Sequence, residues 1–236
     1  MWNHLIRQVR CRGSSFPVIF VMVWLPAVAP VSAQNIVTNS NLIASLEPWT
    51  QEASTTPDPS ATGSASWTNV FNDDNTADGT GSAWIQLTGV PGQPANASIG
   101  IRQCVPLPLA PVDVASASYG AHFLAPATGN PIDGLANATV EVRFYSDADC
   151  STFIPGTGGS QGYRLTSAAL SDTVWYEIGD WNLAMPGTPV VASSAEVRVF
   201  VRTLASTDNG YQVYFDRIWM SLNGTVPVEL SKFEIE

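Results

Sequence analysis

Residues 139–145 read Thr-Val-Glu-Val-Arg-Phe-Tyr, and residues 196–202 read Glu-Val-Arg-Val-Phe-Val-Arg. In both segments every second side chain is a valine or another apolar residue. Because neighbouring side chains of a β-strand point to opposite faces, this period of two predicts two strands that each bury one face. The inward side chains are expected to be Val140, Val142 and Phe144 in the first strand and Val197, Val199 and Val201 in the second.

Short runs with the same alternation recur along the chain, separated by Gly, Pro, Asn and Asp, which is typical of an antiparallel β-sandwich or barrel. In the last run the apolar positions shift by one residue around Asp216, which predicts a β-bulge. Residues 54–81 and 153–162 are rich in small polar residues and are expected to be surface loops. The predicted strands are Ser82–Leu87, Ser98–Val105, Ala115–Leu124, Thr139–Tyr145, Val174–Ile178, Glu196–Thr203 and Tyr211–Leu222.

Residues 1–33 have the pattern of an export signal, with cleavage expected before Gln34. A membrane anchor is disfavoured, because the apolar run is about 14 residues and contains two prolines, whereas a span needs about 20. The sequence therefore predicts a secreted protein, extracellular or periplasmic, with no membrane span after processing. Residues 34–223 are expected to form one β-sandwich domain, followed by a short tail at 224–236. The signal elements are Arg7, Arg10 and Arg12, the apolar run Phe16–Ala29 and the small-residue end at Ala33.

The chain is acidic, with 20 Asp and Glu against 10 Lys and Arg and a formal net charge of −10. Without residues 1–33 it keeps all 20 acids but 7 of the 10 bases, so its formal charge becomes 7 minus 20, or −13. Nucleic acid and anionic membrane surfaces are disfavoured partners, since phosphate binding needs clustered Lys and Arg. The chain without residues 1–33 is long enough for a single sizeable core.

Cysteine usage points to one disulfide bond. Cys11 lies in the predicted signal, which leaves Cys104 and Cys150 as a pair for an oxidising compartment. Free thiols at both positions are the alternative. A bond between them closes a loop of 46 residues, for which the chain-entropy model gives about 4 kcal/mol of stabilisation as an upper figure.

Both ends of the predicted domain resemble a known family. Residues 35–49 read N-I-V-T-N-S-N-L-I-A-S-L-E-P-W, and residues 214–218 read Y-F-D-R-I. They are similar to the opening and closing segments of bacterial galactose-binding-like jelly rolls of the carbohydrate-binding-module type. The middle third matches only in style. The resemblance implies a jelly-roll β-sandwich that is secreted, bacterial and binds glycan without catalysis, and the tail Val226–Phe233 resembles one that ends many secreted bacterial proteins.

In that family a glutamate of the opening motif and the first aspartate of the closing motif often share a structural calcium. The matching positions here are Ile43 and Asp216. The side chain of isoleucine has no oxygen to offer a cation, so the site is either lost or rebuilt from backbone carbonyls and other oxygens. Asp74 and Asp78 lie in an acidic run before a glycine and are further candidate calcium ligands, with a plain acidic turn as the commoner reading. Structural calcium is therefore a candidate cofactor.

No enzyme is predicted. Residues 158–162 fit the Gly-x-Ser-x-Gly pattern of serine hydrolases, but that motif needs a strand before the serine and a helix after it, and neither is indicated here. No carboxylate pair stands out for glycoside hydrolysis. His122 with the two cysteines matches no short zinc-binding spacing.

The candidate binding residues lie on the polar faces of the predicted strands. If these strands share one sheet, the side chains form a groove floor that stacks on sugar rings and binds hydroxyls, so the expected partner is a glycan or cell-surface polymer. A solvated face with cross-strand Arg–Glu pairs is the alternative for these residues. The alternative function is a structural or adhesive surface protein that uses the sandwich as a rigid scaffold, because the sequence has no clear aromatic platform. The candidates are Arg102, His122, Arg143, Tyr145, Arg198, Phe200 and Arg202. Trp67 and Trp181 are expected to be exposed platforms, and Trp49, Trp84, Trp175 and Trp219 to be core.

Overall fold

The computed structural model describes residues 34–53, 59, 61–73, 80–108, 110–126, 130–131, 133–155, 162–170, 174–184 and 190–223. The predicted signal at 1–33, the tail at 224–236, the candidate calcium ligands Asp74 and Asp78, and residues 156–161 lie outside this set. In the described ranges no helix has the length and apolar character that crossing a membrane requires.

The described residues form thirteen strands. They are β1 (Thr50–Glu52), β2 (Gly63–Thr68), β3 (Ser82–Leu87), β4 (Ser98–Pro106), β5 (Val112–Val114), β6 (Ser116–Leu124), β7 (Ala136–Tyr145), β8 (Phe153–Ile154), β9 (Tyr163–Ala169), β10 (Tyr176–Ala184), β11 (Val190–Ala192), β12 (Ser194–Thr203) and β13 (Tyr211–Leu222).

Two antiparallel sheets carry most of these strands. One has the order β1-β4-β12-β7-β8, with β9 also paired to β7, and the other has the order β10-β6-β13-β3-β2. The pair β11-β5 forms a small third sheet. Strands β12 and β13, late in the chain, lie between strands from earlier in it, so neighbours in space are distant in sequence. The predicted all-β antiparallel sandwich of the jelly-roll kind is confirmed.

The seven predicted strands are all present, and two of them, β3 and β13, have the predicted bounds. Two expected loops were wrong in part, because β2 lies within residues 54–81 and β8 begins at Phe153. Strand β2 is at the edge of its sheet and is exposed at every second position. Its hydrogen bonds to β3 hold it in place, so it needs no strong apolar alternation and its sequence resembles a turn.

The core lies between the two main sheets. All six side chains that the period of two places inward are at most 1% exposed, which confirms that prediction. Tyr119 and Phe215 meet them from the opposite sheet. Burial of such apolar surface is the main favourable contribution to folding.

The predicted β-bulge is confirmed in β13. Its register against β6 shifts between Asp216 and Trp219, and Arg217 has a φ of 46°. The extra residue allows both Phe215 and Ile218 to face the core. As a consequence Asp216 and Trp219 both point away from the core, on the outer side of the five-stranded sheet.

The predicted disulfide bond between Cys104 and Cys150 is confirmed. Cys104 lies in β4 directly opposite Glu196 of β12, and Cys150 lies in the connection between β7 and β8. The bond therefore ties this connection to the outer side of the six-stranded sheet.

Asp133 ties the segment before β7 to the segment around the start of β13. Its Oδ2 accepts hydrogen bonds from the Tyr211 hydroxyl at 2.7 Å and from the Asn209 side-chain amide at 2.8 Å. Its Oδ1 accepts the backbone N–H of Leu135 at 2.9 Å. Burial alone raises the pKa of Asp133, but these hydrogen bonds outweigh it and hold the pKa below its usual value of 3.8.

Asp133→Asn is expected to destabilise the protein by about 1 kcal/mol at pH 7, the size of one hydrogen bond to a charged group at an exposed site. A carboxyl whose pKa is lower in the folded state stabilises above its unfolded pKa, and this contribution is lost as the pH falls through the folded value. The difference in unfolding free energy between wild type and Asp133→Asn, measured by urea unfolding, is thus expected to shrink below pH 3.8. Asp113→Asn, at another exposed aspartate, is the control, and a pH-independent difference for Asp133→Asn would contradict the assignment.

Candidate functional site

The strands of the four candidate arginines lie side by side in the six-stranded sheet. Arg102 of β4 faces Arg198 of β12, which in turn faces Glu141 of β7. Arg143 lies on the same face of β7, two residues further along. Arg202, at the end of β12, bonds to the side-chain oxygen of Asn96.

Most of this face is buried, which differs from the expected groove and from a fully solvated surface, but the cross-strand Arg–Glu pairs of the alternative are present. Arg102 is an exception to the burial, with a side chain that is 41% exposed. Arg198 and Glu196 are fully buried, and Arg143, Tyr145 and Phe200 are nearly so. Part of the burial comes from side chains of β8 and β9, which pair with the edge of β7 in this same sheet, and a period of two does not reveal such cover. The guanidinium carbon of Arg143 lies 5.4 Å from the ring centroid of Phe153, and that of Arg164 lies 5.2 Å from the ring of Phe200.

Glu141 is the centre of one set of ion pairs on this face. Its Oε1 accepts hydrogen bonds from Nε of Arg143 at 2.6 Å and from the backbone N–H of Gly162 at 3.0 Å. Its Oε2 lies 2.9 Å from Nε and 2.7 Å from Nη2 of Arg164. Burial alone raises the pKa of Glu141, but the charges of Arg143, Arg164 and Arg198 outweigh it, and the pKa lies below its ordinary value.

Glu196 is the centre of the other set. Its Oε2 accepts a hydrogen bond from Nη1 of Arg102 at 2.8 Å, and its Oε1 accepts one from the Tyr145 hydroxyl at 3.0 Å. Burial and the adjacent Glu196 raise the pKa of Tyr145. Arg198 pairs with Glu52, whose pKa is raised because burial outweighs that pairing. The three glutamates of this face are therefore paired with its arginines.

His122 does not join the arginines. It lies in β6 of the five-stranded sheet, and its side chain is on the outer side, opposite Asp216 of β13 and Glu177 of β10. The core separates it from the arginine-bearing face. Alternation shows which side chains share one face of a strand, but it does not show which strands share a sheet.

The outer side of the five-stranded sheet carries a row of aromatic side chains from four strands and one connection. We call this surface the aromatic face, and its members are Phe71, Trp84, His122, Trp181, Tyr214 and Trp219.

One aromatic pair lies towards β3. The rings of Trp84 and Tyr214 stack with centroids 5.9 Å apart and an interplanar angle of 10°. Phe71 also packs on Tyr214, with ring centroids 4.6 Å apart. The indole N–H of Trp84 donates to the side-chain oxygen of Gln212 at 3.3 Å, which fixes the orientation of the ring. Burial raises the pKa of Tyr214.

The second aromatic pair lies towards β10. Trp219 packs against the backbone at Gly120 and Gly179, where an added Cβ would come within 2.1 Å and 2.6 Å of its ring. These two glycines therefore allow the indole to lie close to the sheet. Trp181 stacks on Trp219 at 4.8 Å with an interplanar angle of 19°, and it is 49% exposed. The result is an aromatic platform that is open to solvent.

A polar cluster lies between the two aromatic pairs. Nδ1 of His122 is 2.5 Å from Oδ2 of Asp73, and Nε2 of His122 is 3.7 Å from Oε2 of Glu177. Arg217 Nε is 3.1 Å from the same oxygen of Asp73. Asp216 accepts the backbone N–H groups of Asp73 at 3.1 Å and Arg217 at 2.7 Å. The β-bulge thus places hydrogen-bonding groups beside the platform.

The structure confirms some of the predictions for the tryptophans and contradicts others. Trp49 is core, as predicted. Trp67 is partly buried against the core and its indole N–H donates to the carbonyl of Leu42 at 2.6 Å, so it is no exposed platform. Trp84 and Trp219 are on the outer side instead of in the core. Alternation contains the signal that finds them, since each stands between two inward-facing residues of its strand.

The calcium site that the family resemblance implies at Ile43 and Asp216 stays a prediction. Ile43 is 56% exposed and has no side-chain oxygen, and both carboxylate oxygens of Asp216 accept backbone N–H groups. Among the described residues there is no group of three or more His, Cys, Asp or Glu that could hold a metal ion. A calcium site that uses Asp74 or Asp78 stays a prediction.

No protein-family model and no curated protein matches this chain. The chain is similar to the carbohydrate-binding module TmCBM61 in complex with β-1,4-galactotriose, at 11% identity over 79% of this chain and 97% of that chain, with a TM-score of 0.45. It is similar to the CBM22-1 xylan-binding domain of Paenibacillus barcinonensis Xyn10C at 13% identity over 84% and 100%, with a TM-score of 0.46. It is also similar to the Stig cyclase Fisc of Fischerella sp. TAU at 14% identity over 82% and 100%, with a TM-score of 0.48. Likenesses of this size say nothing of what this chain binds.

Proposed function

We propose that this protein binds a glycan on the aromatic face of its five-stranded sheet, as a binding module that acts outside the cell and without catalysis. The observation that carries the proposal is the solvent-open stack of Trp181 on Trp219 beside the polar cluster around His122. Sugar rings have apolar faces that pack on aromatic rings, while their hydroxyls bond to charged side chains at the ring edge. The disulfide bond supports the location, since such bonds persist in oxidising compartments.

The spacing of the two aromatic pairs favours a chain of sugars over a single sugar. Tyr214 faces Leu124 of β6 and Trp219 faces Gly120, four residues away along the same strand. At about 3.3 Å per residue the two side chains stand roughly 13 Å apart along the strand. A single sugar ring is little larger than an aromatic ring, so an oligosaccharide is needed to contact both pairs.

Trp181→Ala is expected to weaken glycan binding about tenfold, the upper part of the range for one aromatic stacking contact. The ring is half exposed, so the variant is expected to unfold at the same urea concentration as wild type. Isothermal titration calorimetry against a panel of soluble polysaccharides measures the binding.

Val191→Ala is the matched control, because Val191 is an equally exposed apolar residue in the small sheet β11-β5. It is expected to bind as wild type does. A protein that binds none of the polysaccharides, or a Trp181→Ala variant with unchanged affinity, would refute the proposal.

A further inference from the structure

The two outer faces of the sandwich differ in charge balance. On the six-stranded sheet, four arginines form ion pairs with three glutamates, and the side chains of all but Arg102 and Glu52 are buried. The pairs join Arg102, Arg143, Arg164 and Arg198 with Glu52, Glu141 and Glu196. On the aromatic face, the described carboxylates are Asp73, Glu177 and the buried Asp216, and the one described guanidinium is Arg217. The proposed binding surface is therefore acidic, as is the chain as a whole.

Glu177 is the carboxylate of this surface that is best placed to meet a ligand. Its side chain is 41% exposed, and its contact with His122 is long at 3.7 Å. It lies beside the platform, because a Cβ at Gly179 would be 3.4 Å from Glu177 Oε1 and 2.6 Å from the ring of Trp219. An open carboxylate thus stands next to an aromatic ring that carries the exposed Trp181.

The indole N–H of Trp219, beside Glu177, is a buried polar group without an identified partner among the described residues. Trp219 is 8% exposed, and its indole N–H has no hydrogen-bond acceptor in the part of the chain that the structure describes. Buried donors are usually satisfied, and an exception calls for an explanation such as a bound group.

A carboxylate beside exposed indole rings is suited to an ammonium group. The carboxylate accepts charge-assisted hydrogen bonds from it, and the face of a tryptophan attracts a cation. An anionic sugar is repelled here, and the net negative charge of the chain draws a polycation towards the surface. We infer that the ligand is a glycan with free amino groups, a polymer of deacetylated amino sugars. This inference rests on the proposed glycan binding.

The test compares three oligosaccharides of equal length by isothermal titration calorimetry slightly below neutral pH. They are a glucosamine oligomer, its N-acetylated counterpart and an oligomer of uronic acid. The glucosamine oligomer is expected to bind about tenfold more tightly than the N-acetylated one, the effect of one charge-assisted hydrogen bond, and the uronic acid oligomer is expected not to bind. Added salt is expected to reduce the preference.

Glu177→Gln is expected to remove most of that preference, whereas Glu47→Gln, at an exposed glutamate of the opening segment, is expected to keep it. If the N-acetylated oligomer binds as tightly as the glucosamine oligomer and Trp181→Ala weakens that binding, the proposal of glycan binding stands and the inference fails. If no oligosaccharide or polysaccharide binds, both fail. If the glucosamine oligomer still binds equally well to both Trp181→Ala and Glu177→Gln, the binding is due to attraction by the acidic chain as a whole. That result also overturns the inference.

Discussion

The Glu141→Gln variant is expected to lose about 3–5 kcal/mol of unfolding free energy, because it breaks a buried ion-pair network from one side. Glutamine has the shape of glutamate, so no cavity forms. The charges of Arg143 and Arg164 remain buried, and one amide hydrogen-bond donor now faces their guanidinium groups. Urea unfolding at pH 7, followed by tryptophan fluorescence, measures the loss as a shift of the midpoint.

The pH dependence of the same variant follows from the lowered pKa of Glu141. A carboxyl with a lowered folded pKa stabilises the fold above its unfolded value, and this contribution is lost as the pH falls through the folded value. The gap between wild type and Glu141→Gln is therefore expected to narrow below the ordinary glutamate value of 4.5.

Glu177→Gln is the matched control for stability. It makes the same chemical change on the outer side of the other sheet, at a side chain that is 41% exposed. Its expected effect on unfolding is below about 0.5 kcal/mol. Equal effects of the two variants would contradict the structural role assigned to Glu141.

Replacing both Cys104 and Cys150 by serine is expected to lower the unfolding free energy by up to about 4 kcal/mol. The bond closes a loop of 46 residues, and without it the unfolded chain regains the corresponding entropy. The folded state also loses the link between β4 and the connection that follows β7. The same urea unfolding experiment, run with and without a reducing agent, measures the effect.

The reductant serves as the control for the serine variant. Wild type is expected to fall to the stability of the variant when it is reduced, and the variant is expected not to respond. A variant that unfolds at the wild-type midpoint would show that the bond contributes nothing to stability.

Most of the fold could be predicted because its signal is local. The alternation in residues 139–145 and 196–202 identifies β7 and β12 and their inward side chains, and the shift at Asp216 identifies the bulge. The disulfide bond follows from the count of cysteines that remain after the predicted signal. Edge strands such as β2 were not predicted. Their neighbours supply the hydrogen bonds, so their side chains need no apolar pattern.

The candidate site could be predicted only in fragments. His122 and Trp181 were among the candidates, but His122 was grouped with arginines that lie on the other sheet. The expectation that Trp84 and Trp219 are core is wrong, because alternation places both outward. Arg164 and Phe153, which help to bury the charged face, gave no signal as its partners.

The sequence by itself determined seven of the thirteen strands, the inward side of β7 and β12 and the acidity of the chain, because these depend on neighbouring residues and on composition. Only the tertiary structure decided that β13 lies between β6 and β3, which brings Trp84, His122 and Trp219 to one surface. It also decided that side chains of β8 and β9 cover part of the arginine-bearing face. Both outcomes depend on pairing between residues far apart in the chain, which hydrogen bonds and packing select from many arrangements that local alternation permits equally well.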